Sequence, residues 1–126
     1  MPDPKFREAV RSLRSGITGI KAVILIGPDG VALDYLSWDP DFDVGTFASE
    51  YAMLLRIAGR TSKDTGSGEL HEHISLCERN IAIARCFLNG FCLVLIADVH
   101  AQVGKARYEL KVAVRQIERI MEKSGV

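Results

Sequence analysis

The stretch NIAIARCFLNGFCLVLIA, residues 80–97, limits the possible folds more than any other part of the chain. Two apolar runs, 80–87 and 91–97, flank Asn89-Gly90, a dipeptide that accepts positive φ and so closes two-residue hairpins. Side chains alternate between the two faces of a strand. With a two-residue turn at 89–90, Cys92 lies opposite Phe87 and Cys86 opposite Leu93. Ile83, Phe87, Cys92, Val94 and Ile96 then share one face, and Ala82, Ala84, Cys86, Leu93 and Leu95 the other. Both faces are apolar, so helices must cover both. This register also sets the two cysteines on opposite faces and speaks against a Cys86–Cys92 disulfide.

Three helical patterns can supply the cover. Residues 4–15 open with Pro4, suited to a first turn, and place Phe6, Ala9, Val10 and Leu13 on one face; Gly16 and Gly19 then break the pattern. Residues 44–60 follow Asp43, a suitable N-cap, and align Val44, Phe47, Ala48, Tyr51, Leu54, Leu55 and Ala58. Met53 and Ile57 fall on the other side of that helix. They mark either a second surface that meets the helix or two ordinary exposed apolar residues. Residues 102–123 carry a stripe of Val103, Ala106, Leu110, Ala113, Val114, Ile117, Ile120 and Met121. Their far side holds Lys105, Glu109, Lys111, Arg115, Glu118 and Arg119, a solvated face.

Three more strands complete the pattern. AVILIG, 22–27, and VALDYLS, 31–37, are joined by Gly27-Pro28-Asp29-Gly30. Proline second, then Asp, then a glycine able to take positive φ describes a type I turn with a bulge at Gly30. A phosphate-cradling loop would lead into a helix with a Lys and a Ser or Thr, and neither follows. LHEHISLC, 70–77, comes after the polar, glycine-rich loop 61–69. The order is α-β-β-α-β-β-β-α, and its hairpins imply an antiparallel sheet between helices, a three-layer α/β/α domain. A length of 126 residues suits one domain, 1–126.

The chemistry of the chain points away from catalysis. Lys plus Arg and Asp plus Glu both number 16, so the basic surplus that nucleic-acid binding requires is missing. The longest apolar run, FCLVLIA at 91–97, is too short to span a bilayer. Three cysteines in apolar runs and an N-terminal MPDPKFREAV without the apolar core of a secretory signal suit the cytoplasm. His71 and His73 would share a face on a strand, but two ligands do not make a metal site. The better reading is two polar side chains on an edge strand. The cysteines read as small core residues, and no nucleophile has a base nearby in sequence. Catalytic residues, cofactor and metal are all expected to be none. The loop SWDPDFD sets Trp38 and Phe42 among acids. Either they anchor a partner, as Trp often does, or they fold back onto the sheet.

Two segments carry a family resemblance across nearly the whole chain: GITGIKAVILIGPDGVALDYLS and FCLVLIADVHAQVGKARYELKVAVRQIERIM. With the element order, they resemble the roadblock family of dynein light-chain-like domains, which is widespread in bacteria. Neither segment is a catalytic motif. The resemblance implies a five-stranded antiparallel sheet with helix 44–60 on one face and the terminal helices on the other. It implies a homodimer through helix 44–60 and the edge strand near 70–77, which would involve Phe47, Tyr51, Met53, Leu54, Ile57, His71, His73 and Ile74. It also implies a small Ras-like GTPase as partner, with the protein either stimulating hydrolysis by reshaping the GTPase switch loops or serving as a scaffold. On the partner side the candidates are Trp38, Phe42, Arg56 and Arg60, the two arginines lying on the solvent side of helix 44–60.

Overall fold

The sheet is built from five strands: β1 (Ile20–Ile26), β2 (Ala32–Ser37), β3 (Glu72–Leu76), β4 (Asn80–Phe87) and β5 (Phe91–Asp98). They run β2-β1-β5-β4-β3 across the sheet, and every neighbouring pair is antiparallel. The computed structural model describes residues 4–123. Helices α1 (Pro4–Gly16) and α3 (Val103–Lys123) cover one face, and α2 (Val44–Asp64) covers the other. This is the three-layer α/β/α arrangement with the expected element order.

The layers follow from side-chain size. On the α1/α3 face, Val10, Leu13, Leu110 and Ile117 pack on Val23, Leu95 and Ile83, all nearly inaccessible. On the α2 face, Ala48, Ala52 and Leu55 sit on a floor that includes Ala22, Ala82 and Ala84. Alanine against alanine brings the helix axis close to the sheet and fixes its rotation. Ala52 is therefore buried, whereas Leu54, expected in the core stripe, is 49% exposed. Phe47 and Ala58 are half-buried. The helix also outlasts its expected end at 60. Nothing between 61 and 64 breaks it, and it closes where Thr65 N–H bonds the Thr61 carbonyl, just before Gly66 at φ +75°.

The β1–β2 connection behaves as expected. Gly30 N–H donates to the Gly27 carbonyl at 2.9 Å, and Gly30 takes φ +84°. A further register shift lies between Leu25 and Ile26, opposite Leu33. The β4–β5 connection departs from expectation. Its loop is Leu88-Asn89-Gly90, with φ of 43°, 60° and 121°, and Phe87 pairs with Phe91. Every β5 residue is thereby displaced by one position relative to the two-residue turn. Cys86 stands directly opposite Cys92, and the two share the α2 face with Val94 and Ile96, while Leu93 and Leu95 turn to α1 and α3. Both faces of this hairpin are apolar, so the pattern cannot choose between the two registers.

Candidate functional site

The edge strand β3 and the helix beside it form the most distinctive surface. His73 points to the α2 side, where its Nδ1 lies 3.0 Å from the Tyr51 hydroxyl and its ring meets Tyr51 edge-on. Phe47 stacks on Tyr51 at 4.8 Å, and Phe42 packs on Phe47 at 5.4 Å. This aromatic row ties α2 to β3. Burial holds the Tyr51 hydroxyl above its ordinary pKa. On the opposite face, Glu72 accepts from Arg107 Nε at 2.8 Å and Nη2 at 2.7 Å, which ties α3 to the same strand.

Pinned from both faces, β3 still offers one backbone edge and a set of apolar side chains to solvent. Met53, Leu54 and Ile57 are 61%, 49% and 58% exposed on α2. Ile74 pairs with Ile83, a residue of the α1/α3 core, so Ile74 and Leu76 belong to the other face; they are 42% and 69% exposed. Apolar groups thus bracket the edge from above and below. Single exposed apolar residues are ordinary, but several of them near one open strand edge make a candidate interaction surface.

The residues singled out from sequence divide into two kinds. Met53, Leu54 and Ile57 are exposed on α2, and Ile74 is exposed on the other face of the sheet. Phe47, Tyr51 and His73 form the aromatic row between α2 and β3. His71 lies just before β3, exposed, and its carbonyl accepts the Cys86 N–H at 2.9 Å. Among the described residues no three metal-ligating side chains come together. Trp38 lies half-buried against the α1/α3 core with the Arg14 guanidinium 5.0 Å above its ring, and Phe42 lies against the α2-side core. Arg56 donates to the Asp29 carbonyl at 3.4 Å, and Arg60 is exposed. Leu76 was not singled out from the sequence, although it shares its strand face with Ile74 at a spacing of two.

At the hairpin end of the sheet, a cleft of about 740 Å³ runs between the β1–β2 and β4–β5 tips, α2 and α3. The tips touch: a Cβ on Gly90 would come within 3.1 Å of Pro28 Cβ, and Gly90 holds φ +121°. Arg56, Arg60, Lys63, Arg85, Lys111 and Arg115 line the cleft against Glu69 and Glu118. A chain of zero formal charge therefore has one locally positive end. The i, i+4 spacing of Arg56 with Arg60 and of Lys111 with Arg115 is the sequence signal for it.

No protein-family model matches the sequence, and no curated protein matches it. Solved structures do. The chain superposes on Myxococcus xanthus MglB with a TM-score of 0.87, 20% identity and coverage of 98% of this chain and 99% of that one. It matches an MglB in a tetrameric arrangement at TM-score 0.83 and 22% identity over 98% and 94%. A Roadblock/LC7 domain from Streptomyces avermitilis matches at TM-score 0.78 and 17% identity over 89% and 93%. The chain has the Roadblock/LC7 fold.

Proposed function

We propose that this chain is a homodimeric regulator of a small Ras-like GTPase, with no catalytic centre or cofactor of its own. The observation that carries the reading is the open β3 edge rimmed by Met53, Leu54, Ile57, Ile74 and Leu76. Two such edges related by a two-fold axis would pair antiparallel, satisfy each other's outward backbone groups and cover those side chains. The tetrameric arrangement of one similar MglB supports self-association, and the roadblock resemblance supports the GTPase. No helix among the described residues is long and apolar enough to cross a membrane, and we place the protein in the cytoplasm.

The GTPase side of the dimer would use Arg56 and Arg60, which lie beside the hairpin tips, together with the rim around Trp38 and Phe42. An arginine finger is not needed if the protein acts by reshaping the GTPase switch loops. Arg56→Ala and Arg60→Ala should then each lower stimulated turnover by less than about tenfold, roughly 1.4 kcal/mol of barrier. The test is light scattering of the free protein followed by single-turnover GTP hydrolysis with the small GTPases of the source organism. Binding to the GTP form with faster hydrolysis supports the regulator. Binding with unchanged hydrolysis supports an adaptor instead, and a monomer that binds no GTPase overturns the reading.

A further inference from the structure

The β4–β5 register brings together two sulfur atoms that no regulatory role requires. Cys86 Sγ and Cys92 Sγ are 3.0 Å apart, and both thiols are free. Ordinary carbon contacts lie at about 3.5–4.0 Å. A disulfide bond is ~2.05 Å, so closure needs about 1 Å of movement. The backbone favours it. Cys86 N–H bonds the His71 carbonyl on the β3 side, so Cys86 and Cys92 are a pair that exchanges no backbone bonds with each other. Such pairs are the close ones, with Cα atoms about 4.5 Å apart, inside the ~4.4–6.8 Å range of disulfides.

We propose that Cys86 and Cys92 are an oxidisable dithiol site, which hydrogen peroxide converts to an intrachain disulfide across the hairpin and a low-molecular-weight thiol restores. The two sulfurs differ in setting. Both line the positively charged cleft, but Cys86 is half-buried whereas Cys92 is only 6% exposed. The contact between the two sulfurs lowers the pKa of Cys86 and, with burial, raises that of Cys92. Cys86, the more accessible of the two, is the attacking thiolate and Cys92 the resolving thiol.

The chemistry balances in two steps. The Cys86 thiolate attacks one peroxide oxygen and the O–O bond breaks. The departing hydroxide takes up the proton that the thiol released and leaves as water, with Cys86 now a sulfenic acid. Cys92 sulfur then attacks Cys86 sulfur. The S–S bond forms, the S–O bond breaks, and the second hydroxide leaves as water with the Cys92 proton. The sulfur pair loses two electrons and the peroxide gains them. Two equivalents of a glutathione-type thiol reverse the change by exchange through a mixed disulfide.

The test uses the full chain carrying Cys77→Ser, which removes the exposed third thiol. Treatment of the folded protein with hydrogen peroxide should give a species lighter by two hydrogens, with Cys86 and Cys92 joined in one peptide map and released by dithiothreitol. In a Cys92→Ser variant a dimedone-type probe should capture sulfenic acid at Cys86. In a Cys86→Ser variant labelling of Cys92 should be slower by roughly tenfold or more. Circular dichroism checks that each variant is folded, and the mass readout on the parent needs neither. The proposal is overturned if both thiols survive peroxide until urea is added, if Cys86 passes to sulfinic acid without pairing, or if the two variants label alike.

Discussion

The two faces of one sheet are finished to different degrees. On the α1/α3 face two helices close over large side chains, and Val10, Leu110 and Ile117 are all but inaccessible. On the α2 face a single helix rests on alanines, and its outer flank leaves Met53, Leu54 and Ile57 in water. The strands between them are shared, but alternate residues face each side: Val23, Ile83 and Leu95 toward α1 and α3, and Ala22, Ala82 and Ala84 toward α2. The small floor turns Ala52 inward and leaves larger apolar side chains of α2 outside. The closed face buries nearly all of its apolar surface, and the open one leaves part of its own exposed.

The largest expected effect tests the closed face against its partner. Leu110→Ala removes a side chain held between both helices and the sheet, and should cost about 4–5 kcal/mol, the upper part of the range for buried leucines. Leu55→Ala, 7% exposed under a lone helix that can settle onto its alanine floor, should cost about 2–3 kcal/mol. Urea unfolding of both variants gives the difference. Equal costs would mean that the α2 face is as tightly closed as the other.

The open face makes a separate demand. Ile57→Asp puts a charge into the exposed apolar strip without touching the core. In the proposed dimer, dissociation should strengthen by about 30-fold, or ~2 kcal/mol. Unfolding of the dilute monomer should stay within ~0.5 kcal/mol of the parent. Light scattering over a dilution series reads the first quantity and urea unfolding the second. A large loss of monomer stability with no change in association would assign Ile57 to the fold and not to an interface.

The same asymmetry governs what the sequence could disclose. The α1/α3 face was legible because its residues alternate cleanly between large apolar and charged, as in the Phe6, Ala9, Val10, Leu13 stripe. Asp43, Gly27-Pro28-Asp29-Gly30 and the order of elements were legible because each rests on local backbone chemistry. The register of β4 on β5 was not. With apolar residues on both faces, a two-residue turn and the observed three-residue loop bury equally greasy strands, and only the left-handed backbone at Leu88 and Asn89 decides. Leu54 was misplaced for a related reason. Helical spacing allows either Leu54 or Ala52 inward, and the small residues of the sheet below select Ala52. The cysteine pair is a product of tertiary register and lay beyond any local pattern, whereas the positive cleft shows locally only as the i, i+4 pairs Arg56/Arg60 and Lys111/Arg115, which the fold brings to one end.

A smaller effect probes how α2 is fastened to the edge. Tyr51→Phe keeps the ring stacked on Phe47 but removes the hydroxyl that meets His73. His73 is half-buried and can turn to water, so the expected cost is about 1 kcal/mol by thermal unfolding. A cost several times larger would show that the aromatic row, more than the alanine floor, seats this helix.

The smallest expected effect lies at the start of the same helix and is read through pH. Asp43 Oδ1 accepts the Thr46 N–H at 3.0 Å, and Oδ2 accepts the Thr46 hydroxyl at 2.7 Å. These bonds favour the charged form and lower the Asp43 pKa below its ordinary value. A group whose pKa is lowered on folding contributes stability above its unfolded pKa, and that contribution is lost as pH falls through the lowered folded value. Asp43→Asn keeps an oxygen for the Thr46 N–H, since Asn is also a good N-cap, but it cannot titrate and presents no charge to the helix dipole. The parent should therefore melt slightly higher than Asp43→Asn near neutral pH, and the gap should close as the solution is taken below the range where free Asp is ionised, about pH 3.9. The matching pair on the closed face, Leu110→Ala against the parent, should hold its much larger gap over the same titration, because no charge enters that contact. A gap between Asp43→Asn and the parent that persists unchanged in acid would mean that the carboxylate charge plays no part in holding the one helix on which the open face depends.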